Sequence, residues 1–225
     1  MKYFIIFIIF IHSLLALELD DYSFEDGEKI YNETCISCHG ENGDAKTYLH
    51  LTVRPRSLTK SILNMEQIFL VIKNGSHEYG AKADIMPSFG SVYSDEEIYS
   101  VAYFVFEKFT KQKNSKKLIQ DASKLEYGSP KIGKKIFKRN CSLCHGIKGG
   151  CKSEFIRISK QSKKFIYPYN LQKIILDENQ IFLYAKYGGK FWGTFKNDMP
   201  SWQKKYDDKS LKAVAKYINE YIKKR

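Results

Sequence analysis

Two short motifs bring together the residues whose chemistry is most specific. Residues 35–39 read CISCH and residues 141–145 read CSLCH. On a helical turn, positions i, i+3 and i+4 share one face, so the thiols of Cys35 and Cys38 and the imidazole of His39 point the same way. The thiols can bond the two vinyl groups of one porphyrin while the imidazole ligates its iron. The same set recurs as Cys141, Cys144 and His145. The sequence therefore predicts two covalently bound haem c groups.

Other uses of paired cysteines explain these motifs less well. The Cys-x-x-Cys spacing also occurs in dithiol redox sites and in zinc sites. Neither alternative requires a histidine directly after both pairs. A zinc site would also need its two pairs much closer together than the 106 positions that separate Cys35 from Cys141. Haem attachment is the preferred interpretation.

Two methionines are candidates for the sixth iron ligand. Met86 and Met199 each begin a Met-Pro-Ser-aromatic segment. A thioether is a soft, neutral ligand that favours ferrous iron and raises the potential. A single methionine more often fills a gap in a core, but that alternative does not explain why both residues precede the same proline. Met65 is matched by Glu178, which indicates an ordinary helix position for Met65.

The elements that must position these residues are predicted by an internal repeat. Matching residues lie 106 positions apart up to the second motif and 113 positions apart after it, so seven additional residues lie between His145 and Pro168. The matched pairs include Gly27 with Gly133, Tyr31 with Phe137, Pro55 with Pro168, Gln67 with Gln180, Gly75 with Gly188, and Met86 with Met199. So many matches in order indicate a duplicated unit.

Helix signals recur at matched places in both units. They are the N-caps Ser23 and Ser129, the capping boxes Asn64–Gln67 and Asp177–Gln180, and Ser94 and Asp207 before the last helix. No run alternates with period two for long enough to predict a sheet. The predicted fold class is all-α, with two tandem domains of about three main helices each, and a buried porphyrin supplies part of each small core.

The start of the chain is typical of a secretory signal. Lys2 precedes residues 4–11, which are only Ile and Phe, and Ala16 follows. About 13 apolar-dominated positions are fewer than the roughly 20 that span a bilayer, so cleavage is preferred over a retained anchor. The predicted divisions are a signal peptide at 1–16, domain 1 at 17–110, a Lys-rich linker at 111–124 and domain 2 at 125–225.

The formal net charge of +12 is distinctly basic. Solvated lysine-rich faces or a biased amino-acid composition explain this charge as well as a functional role does. The chain shows no stacked basic-aromatic motif and is expected to be exported, which excludes nucleic acid as the expected partner.

On these motifs and their order, the chain resembles class I c-type cytochromes, and its tandem arrangement resembles the diheme members of that family. The resemblance implies a periplasmic location, because haem is attached to CxxCH outside the bacterial cytoplasm. It implies that Gly27 and Gly133 let the first helix of each domain cross the last closely. It also implies that the carbonyls of Pro55 and Pro168 accept hydrogen bonds from the proximal imidazoles. The candidate propionate donors are Arg54, Arg56, Tyr79 and Trp192.

The enlargement in the second unit contains the fifth cysteine, Cys151. Diheme thiosulfate dehydrogenases are similar in using a Cys/His haem, so a thiolate ligand is one alternative and an inert thiol is the other. Residues 152–164 also carry five basic side chains and the single acid Glu154, which predicts an acidic redox partner. The basic residues are Lys152, Arg157, Lys160, Lys163 and Lys164.

The expected function is electron transfer between respiratory redox partners by a periplasmic diheme cytochrome, with no catalytic residues. Two alternatives remain open. One is a diheme redox enzyme of the thiosulfate dehydrogenase or peroxidase type, and the other is the cytochrome subunit of a dehydrogenase or terminal oxidase.

Overall fold

The computed structural model describes residues 22–51, 55–81, 86–110, 113–151, 155–157, 163–165, 168–193 and 199–224. The segment predicted to be a signal peptide lies outside these residues. Among the helices described, none is long and apolar enough to cross a membrane.

The described residues are mainly helical, and the predicted all-α class is confirmed. The first repeat contains α1 (Phe24–Ile30), α2 (Ile36–His39), α3 (Met65–Asn74) and α4 (Asp95–Val105). The second contains α5 (Lys113–Ser123), α6 (Pro130–Ile136), α7 (Ser142–His145), α8 (Glu178–Tyr187) and α9 (Asp208–Tyr217). Single π-helical turns follow α1, α4, α6 and α9, at Tyr31–Cys35, Phe106–Thr110, Phe137–Cys141 and Ile218–Ile222. Short 3₁₀ turns lie at Tyr48–Leu51, Leu58–Lys60 and Gly189–Trp192.

The helices begin where their capping residues predict. Asn64 and Asp177 each accept a hydrogen bond from the backbone N–H three residues later, and the glutamine at that position bonds back, which completes two capping boxes. A third box lies at Ser94, before α4. These local bonds satisfy donors that a helix start leaves unpaired, so short side chains fix the helix boundaries.

The first and last helices of each repeat cross in close contact. A Cβ on Gly27 would lie 2.0 Å from the Ser100 carbonyl oxygen, and one on Gly133 would lie 2.0 Å from the Ala213 carbonyl oxygen. Only glycine permits this approach. The expected crossing of α1 with α4, and of α6 with α9, is confirmed.

Aromatic rings pack beside each crossing. The Tyr31 and Phe104 rings are 5.2 Å apart between centroids, and the Phe137 and Tyr217 rings are 5.5 Å apart. Each pair belongs to a separate hydrophobic core, one built mainly from α1, α3 and α4 and the other from α6, α8 and α9. The repeat therefore folds as two units with matched interiors.

The segment predicted to be a solvated linker contributes to the second core. It forms α5, whose Leu118 and Ile119 pack against that core and whose Ala122 is buried in it. Its lysines gave the segment a polar composition, but its apolar residues share one helical face. The predicted domain boundaries remain predictions.

A short antiparallel hairpin was not predicted. Strand β1 (Phe155–Arg157) pairs with β2 (Lys163–Phe165), with Ile156 opposite Lys164. It lies within the enlargement of the second repeat, where three-residue strands are too short to show a period of two in the sequence.

A symmetric pair of buried glutamines joins the two repeats. Gln67 Nε2 donates to Gln180 Oε1 at 2.9 Å, and Gln180 Nε2 donates to Gln67 Oε1 at 2.8 Å. The second hydrogen of each amide bonds a carbonyl of the other repeat, Ile175 for Gln67 and Ile62 for Gln180. The two glutamines are 113 positions apart, and so are the two isoleucines, Ile62 and Ile175. The contact therefore has approximate two-fold symmetry. Asn170 N–H also donates to the Gly80 carbonyl across the same boundary.

Candidate haem site

Each CxxCH motif lies where a helix changes its pitch. The π-helical turn after α1 ends at Cys35, and α2 then carries the rest of the motif to His39. The second repeat has the same order, with Cys141 ending the π-helical turn and His145 ending α7. Glycines in positive-φ conformations, Gly40 at 77° and Gly146 at 75°, end both short helices.

Burial favours the protonated thiol at the first cysteine of each motif. Burial raises the pKa of Cys35 to about 12, and the adjacent Cys38 thiol adds to the effect. Burial likewise raises the pKa of Cys141 to about 12, together with Cys144. The five cysteines, all among the described residues, form no disulfide. Both pairs are thus reduced thiols on one helical face, as covalent haem attachment requires.

Backbone carbonyls hold both imidazoles in place. His39 Nδ1 is 3.1 Å from the Arg56 carbonyl oxygen, and His145 Nδ1 is 3.0 Å from the Tyr169 carbonyl oxygen. The expected acceptors, Pro55 and Pro168, were wrong by one residue, because the carbonyl after each proline faces the ring. With Nδ1 as the donor, Nε2 carries the lone pair that can ligate a metal.

The environment of the histidines also favours the neutral, ligating form. Burial lowers the pKa of His39, although its bond to the Arg56 carbonyl opposes the shift. Burial lowers the pKa of His145 in the same way, against its bond to Tyr169. A neutral imidazole is the form that binds metals.

The methionine segments are attached to matching helix ends. Gly75 and Gly188 end α3 and α8 with φ of 77° and 78°. A Cβ on Gly188 would lie 2.7 Å from the Met199 carbonyl oxygen, and one on Gly75 would lie 3.0 Å from that of Met86. Glycine is needed there because the methionine backbone passes so close.

Further hydrogen bonds hold each methionine segment against its helix. Ser88 Oγ donates to the Lys73 carbonyl, and Ser201 Oγ donates to the Lys186 carbonyl at 2.8 Å. Met86 and Met199 are half-buried against the cores that also contact Cys35 and Cys141, respectively. The Met-Pro-Ser-aromatic pattern therefore has a structural reason that is the same in both repeats.

Cys151 lies on the far side of His145 from the ligating nitrogen. Its Sγ donates to the Tyr169 carbonyl at 2.7 Å and is 3.9 Å from His145 Nδ1. A thiol at Nδ1 does not approach an iron bound at Nε2, so this geometry opposes the thiolate-ligand alternative. The placement of Cys151 within the enlargement was wrong, because in the structure it matches Ala45 of the first repeat. Both positions have positive φ, 51° at Cys151 and 61° at Ala45, and both N–H groups donate to the carbonyl of the proximal histidine.

The candidate propionate donors differ in their contacts. Trp192 Nε1 donates to the Leu183 carbonyl at 3.0 Å and is engaged within its own repeat. Tyr79 OH accepts from Asn74 Nδ2. Arg54 lies outside the described residues.

Arg56 reaches into the second repeat. Its Nη1 donates to Tyr184 OH at 3.0 Å, and its guanidinium carbon lies 4.6 Å from the centre of the Tyr169 ring. Within the part of the chain that the structure describes, Arg56 forms no ion pair with a carboxylate. Partly buried cations are normally paired, so this side chain suits an anionic group such as a haem propionate.

The residues present fit a covalently attached haem in each repeat. Each repeat offers two free thiols, an imidazole held through Nδ1, and a thioether on a segment fixed to α3 or α8. No cluster of three or more His, Cys, Asp or Glu side chains suited to a metal ion occurs among the described residues. Two thiols that precede an imidazole in a CxxCH motif, together with a thioether, are the donor set of a haem c site.

A family model described as cytochrome c oxidase, cbb3-type, subunit III, matches residues 23–105 and again residues 128–218. The chain belongs to this cytochrome c family. It is a tandem class I cytochrome c that transfers electrons, and the family implies covalently bound haem c. The two matched ranges contain the two CxxCH motifs and both methionines.

Two curated proteins are similar to this cytochrome. Cytochrome c6 of Gracilaria tenuistipitata is 32% identical over 83 residues, which are 36% of this chain and 69% of that protein. The cbb3-type cytochrome c oxidase subunit FixP of Bradyrhizobium diazoefficiens is 26% identical over 198 residues, or 86% of this chain. The cytochrome matches only 59% of the length of FixP.

A chain in a solved structure is also similar to this cytochrome. It is a chain of the reducing HAO-like protein complex of Kuenenia stuttgartiensis, with a TM-score of 0.45 and 21% sequence identity. The match covers 92% of this cytochrome and 100% of that chain.

Two features of the site were missed from the sequence. Gln67 and Gln180 were recognised only as capping residues, although a buried polar side chain at the same place in both repeats could have indicated a contact between them. The contact of Arg56 with Tyr169 was also missed. These residues are matched in the repeat, but the side chains differ and no sequence signal pairs them.

Proposed function

We propose that this cytochrome is a periplasmic electron carrier with two haem c groups, one in each repeat. Cys35 and Cys38 attach the first haem, which His39 and Met86 ligate. Cys141 and Cys144 attach the second, which His145 and Met199 ligate. The observation that carries the proposal is that the whole donor set occurs twice. Each copy includes the backbone carbonyl that holds the imidazole and the methionine segment attached to a helix end.

When bound, haem supplies an iron that changes reversibly between the ferric and ferrous states. The chain's own residues decide what that iron can do. The carbonyls of Arg56 and Tyr169 fix the orientation of the imidazoles and increase their basicity. Met86 and Met199 would each supply a thioether as the second protein ligand of an iron, which would leave no iron site free for a substrate. Electron exchange with redox proteins is the function that such a site supports.

The ligand set is tested by spectroscopy of the purified chain. A pyridine haemochrome assay should give two haems per chain, and the oxidised protein should show a far-red methionine-to-iron band for each. Met199→His should lower one midpoint potential by on the order of 0.1 V and leave the other nearly unchanged. Two equal shifts, or a high-spin haem, would argue against the proposed ligands. N-terminal sequencing of exported protein tests the location and the cleavage near Ala16.

A second candidate is an electron-transfer subunit of a terminal oxidase. The similarity to FixP, which extends through both repeats, favours it. The two candidates are distinguished by native electrophoresis of membranes from the source cell with haem staining. Migration of this cytochrome with a large oxidase complex favours the subunit, whereas recovery in the periplasmic fraction favours the free carrier.

A further inference from the structure

A basic cleft lies beside the second CxxCH motif. It has a volume of about 440 Å³, and its walls come from α6, from the loop after α7 and from the end of the chain. Five of its ten lining residues are lysines and none is acidic. The lysines are Lys134, Lys138, Lys148, Lys223 and Lys224. Ile147, two residues beyond His145, also lines the cleft.

Most of this charge faces solvent. Lys134, Lys138, Lys148 and Lys224 are exposed. Among the residues that the structure describes, no carboxylate forms an ion pair with any of the four. Lys223 is partly buried and donates to the Leu176 carbonyl. Four neighbouring cations without described counter-charges repel one another, so binding of an anionic group would relieve that repulsion.

The matching surface of the first repeat lacks this charge. The positions of Lys134, Lys138 and Lys148 are occupied there by Glu28, Asn32 and Asn42. Glu28 is neutralised by an ion pair of 2.8 Å with Lys108, which stands at the position of Tyr221. Four of the five cleft lysines thus do not follow from the fold, which both repeats share. Lys134, Lys138, Lys148 and Lys223 are specific to the second repeat, whereas Lys224 is matched by Lys111.

Exposed apolar side chains accompany the lysines. Ile147 and Tyr221 line the cleft and are 70% and 66% exposed, and Leu143, within the CSLCH motif, is 69% exposed. The first repeat has Glu41, Lys108 and Ser37 at these three positions. An apolar centre with a charged rim is the usual composition of a protein docking surface.

We propose that this cleft is the docking surface for an acidic redox protein, which exchanges electrons with the second repeat. The inference rests on the proposed electron-transfer function and names the partner for one of its two sites. Carboxylates on the partner meet the lysine rim, while its apolar surface covers Ile147 and Tyr221. Such contacts are brief, and charge acts mainly on how fast the proteins meet. A concave surface fits a protein better than it fits a flat lipid headgroup layer.

The test measures binding of fluorescently labelled poly-L-glutamate to the haem-loaded cytochrome at low salt. The triple variant Lys134→Gln, Lys138→Gln and Lys148→Gln should bind it roughly tenfold more weakly, because each lost surface pair contributes little alone and three add up. The control is Lys117→Gln, Lys190→Gln and Lys204→Gln, which removes the same charge from exposed positions elsewhere. It should bind nearly as well as the unaltered chain.

Other outcomes overturn the proposal. Equal weakening in the two triple variants means that only net charge matters. Stronger effects of the cleft variant on phosphatidylglycerol vesicles than on poly-L-glutamate assign the surface to a membrane. Self-association at low salt that the cleft variant abolishes assigns it to a second copy of the chain.

Failure of the proposed function gives a different result. A chain that is not reduced by ascorbate or dithionite has no electron-transfer role, whatever its affinity for poly-L-glutamate. In the reducible protein, oxidation by the anion ferricyanide adds a redox readout. The cleft variant should slow the oxidation of one haem several-fold more than the control variant does. Equal rates in both variants would leave the cleft without a role in electron exchange.

Discussion

Removal of one buried glutamine should uncouple the two repeats. Gln180 is 2% exposed and makes four hydrogen bonds through its amide. At roughly 1 kcal/mol net for each, Gln180→Ala should lower the free energy of unfolding by about 4 kcal/mol. Gln67→Ala should have a similar effect, because Gln67 makes the four matching bonds. The measurement is guanidinium unfolding of the haem-loaded chain, followed by circular dichroism.

The double variant gives the sharper result. Two of the bonds join the glutamines to each other, so they are counted in both single variants. The double variant should therefore lose about 6 kcal/mol rather than about 8, a coupling of roughly 2 kcal/mol. Unfolding should also separate into two transitions, because the repeats lose the bonds that join them.

Additive effects would refute this reasoning, because residues that bond each other cannot contribute independently. Gln120→Ala is the matched control. That glutamine is exposed on α5, and its replacement should change the unfolding free energy by less than about 0.5 kcal/mol.

Three further predictions follow from single sites. Cys35→Ser combined with Cys38→Ser should leave one covalent haem by pyridine haemochrome assay, since the second repeat keeps its own donors; loss of both would contradict separate sites. Cys151→Ala should lower the potential of one haem. The Tyr169 carbonyl then accepts only from His145 and no longer from Cys151, and the stronger bond makes that imidazole a better electron donor to iron. An unchanged redox titration would refute this. The pKa of Asp207 lies below its ordinary value because the side chain accepts a hydrogen bond from Ser210. Its charge therefore stabilises the folded state above the ordinary value of 3.8 and ceases to do so as pH falls through the lower folded value. The melting temperature of Asp207→Asn should lie below that of the unaltered chain at pH 7, and the two should converge in acid.

The sequence predicts best what is decided locally. Capping boxes, glycine crossings and the thiol-imidazole face each depend on spacings of a few residues, and the repeat supplies an internal check on each. Those predictions are therefore matched by helix boundaries and close contacts in the structure. The ligand assignments themselves remain predictions until haem is measured.

The remaining features depend on how distant segments meet. Which carbonyl faces His39 depends on the path of a loop, and a shift of one residue moved the acceptor from Pro55 to Arg56. The pairing of Gln67 with Gln180 depends on how the repeats pack, and periodicity within either repeat carries no information about that. The many lysines of α5 made its sequence look polar, so its apolar face was not recognised. That face is buried because α5 packs against the second core.

The contact between Arg56 and Tyr169 has a consequence for assembly. The backbones of these residues hold the two proximal imidazoles, and their side chains stack on each other. When the loop that contains Arg56 becomes ordered, it also restricts the loop that contains Tyr169, and the reverse holds as well. Part of the conformational entropy of ordering the two loops is therefore lost only once. With one haem in each repeat, as proposed, attachment of the first should leave the second site preorganised. We therefore expect the pair to mature faster than two independent attachments would.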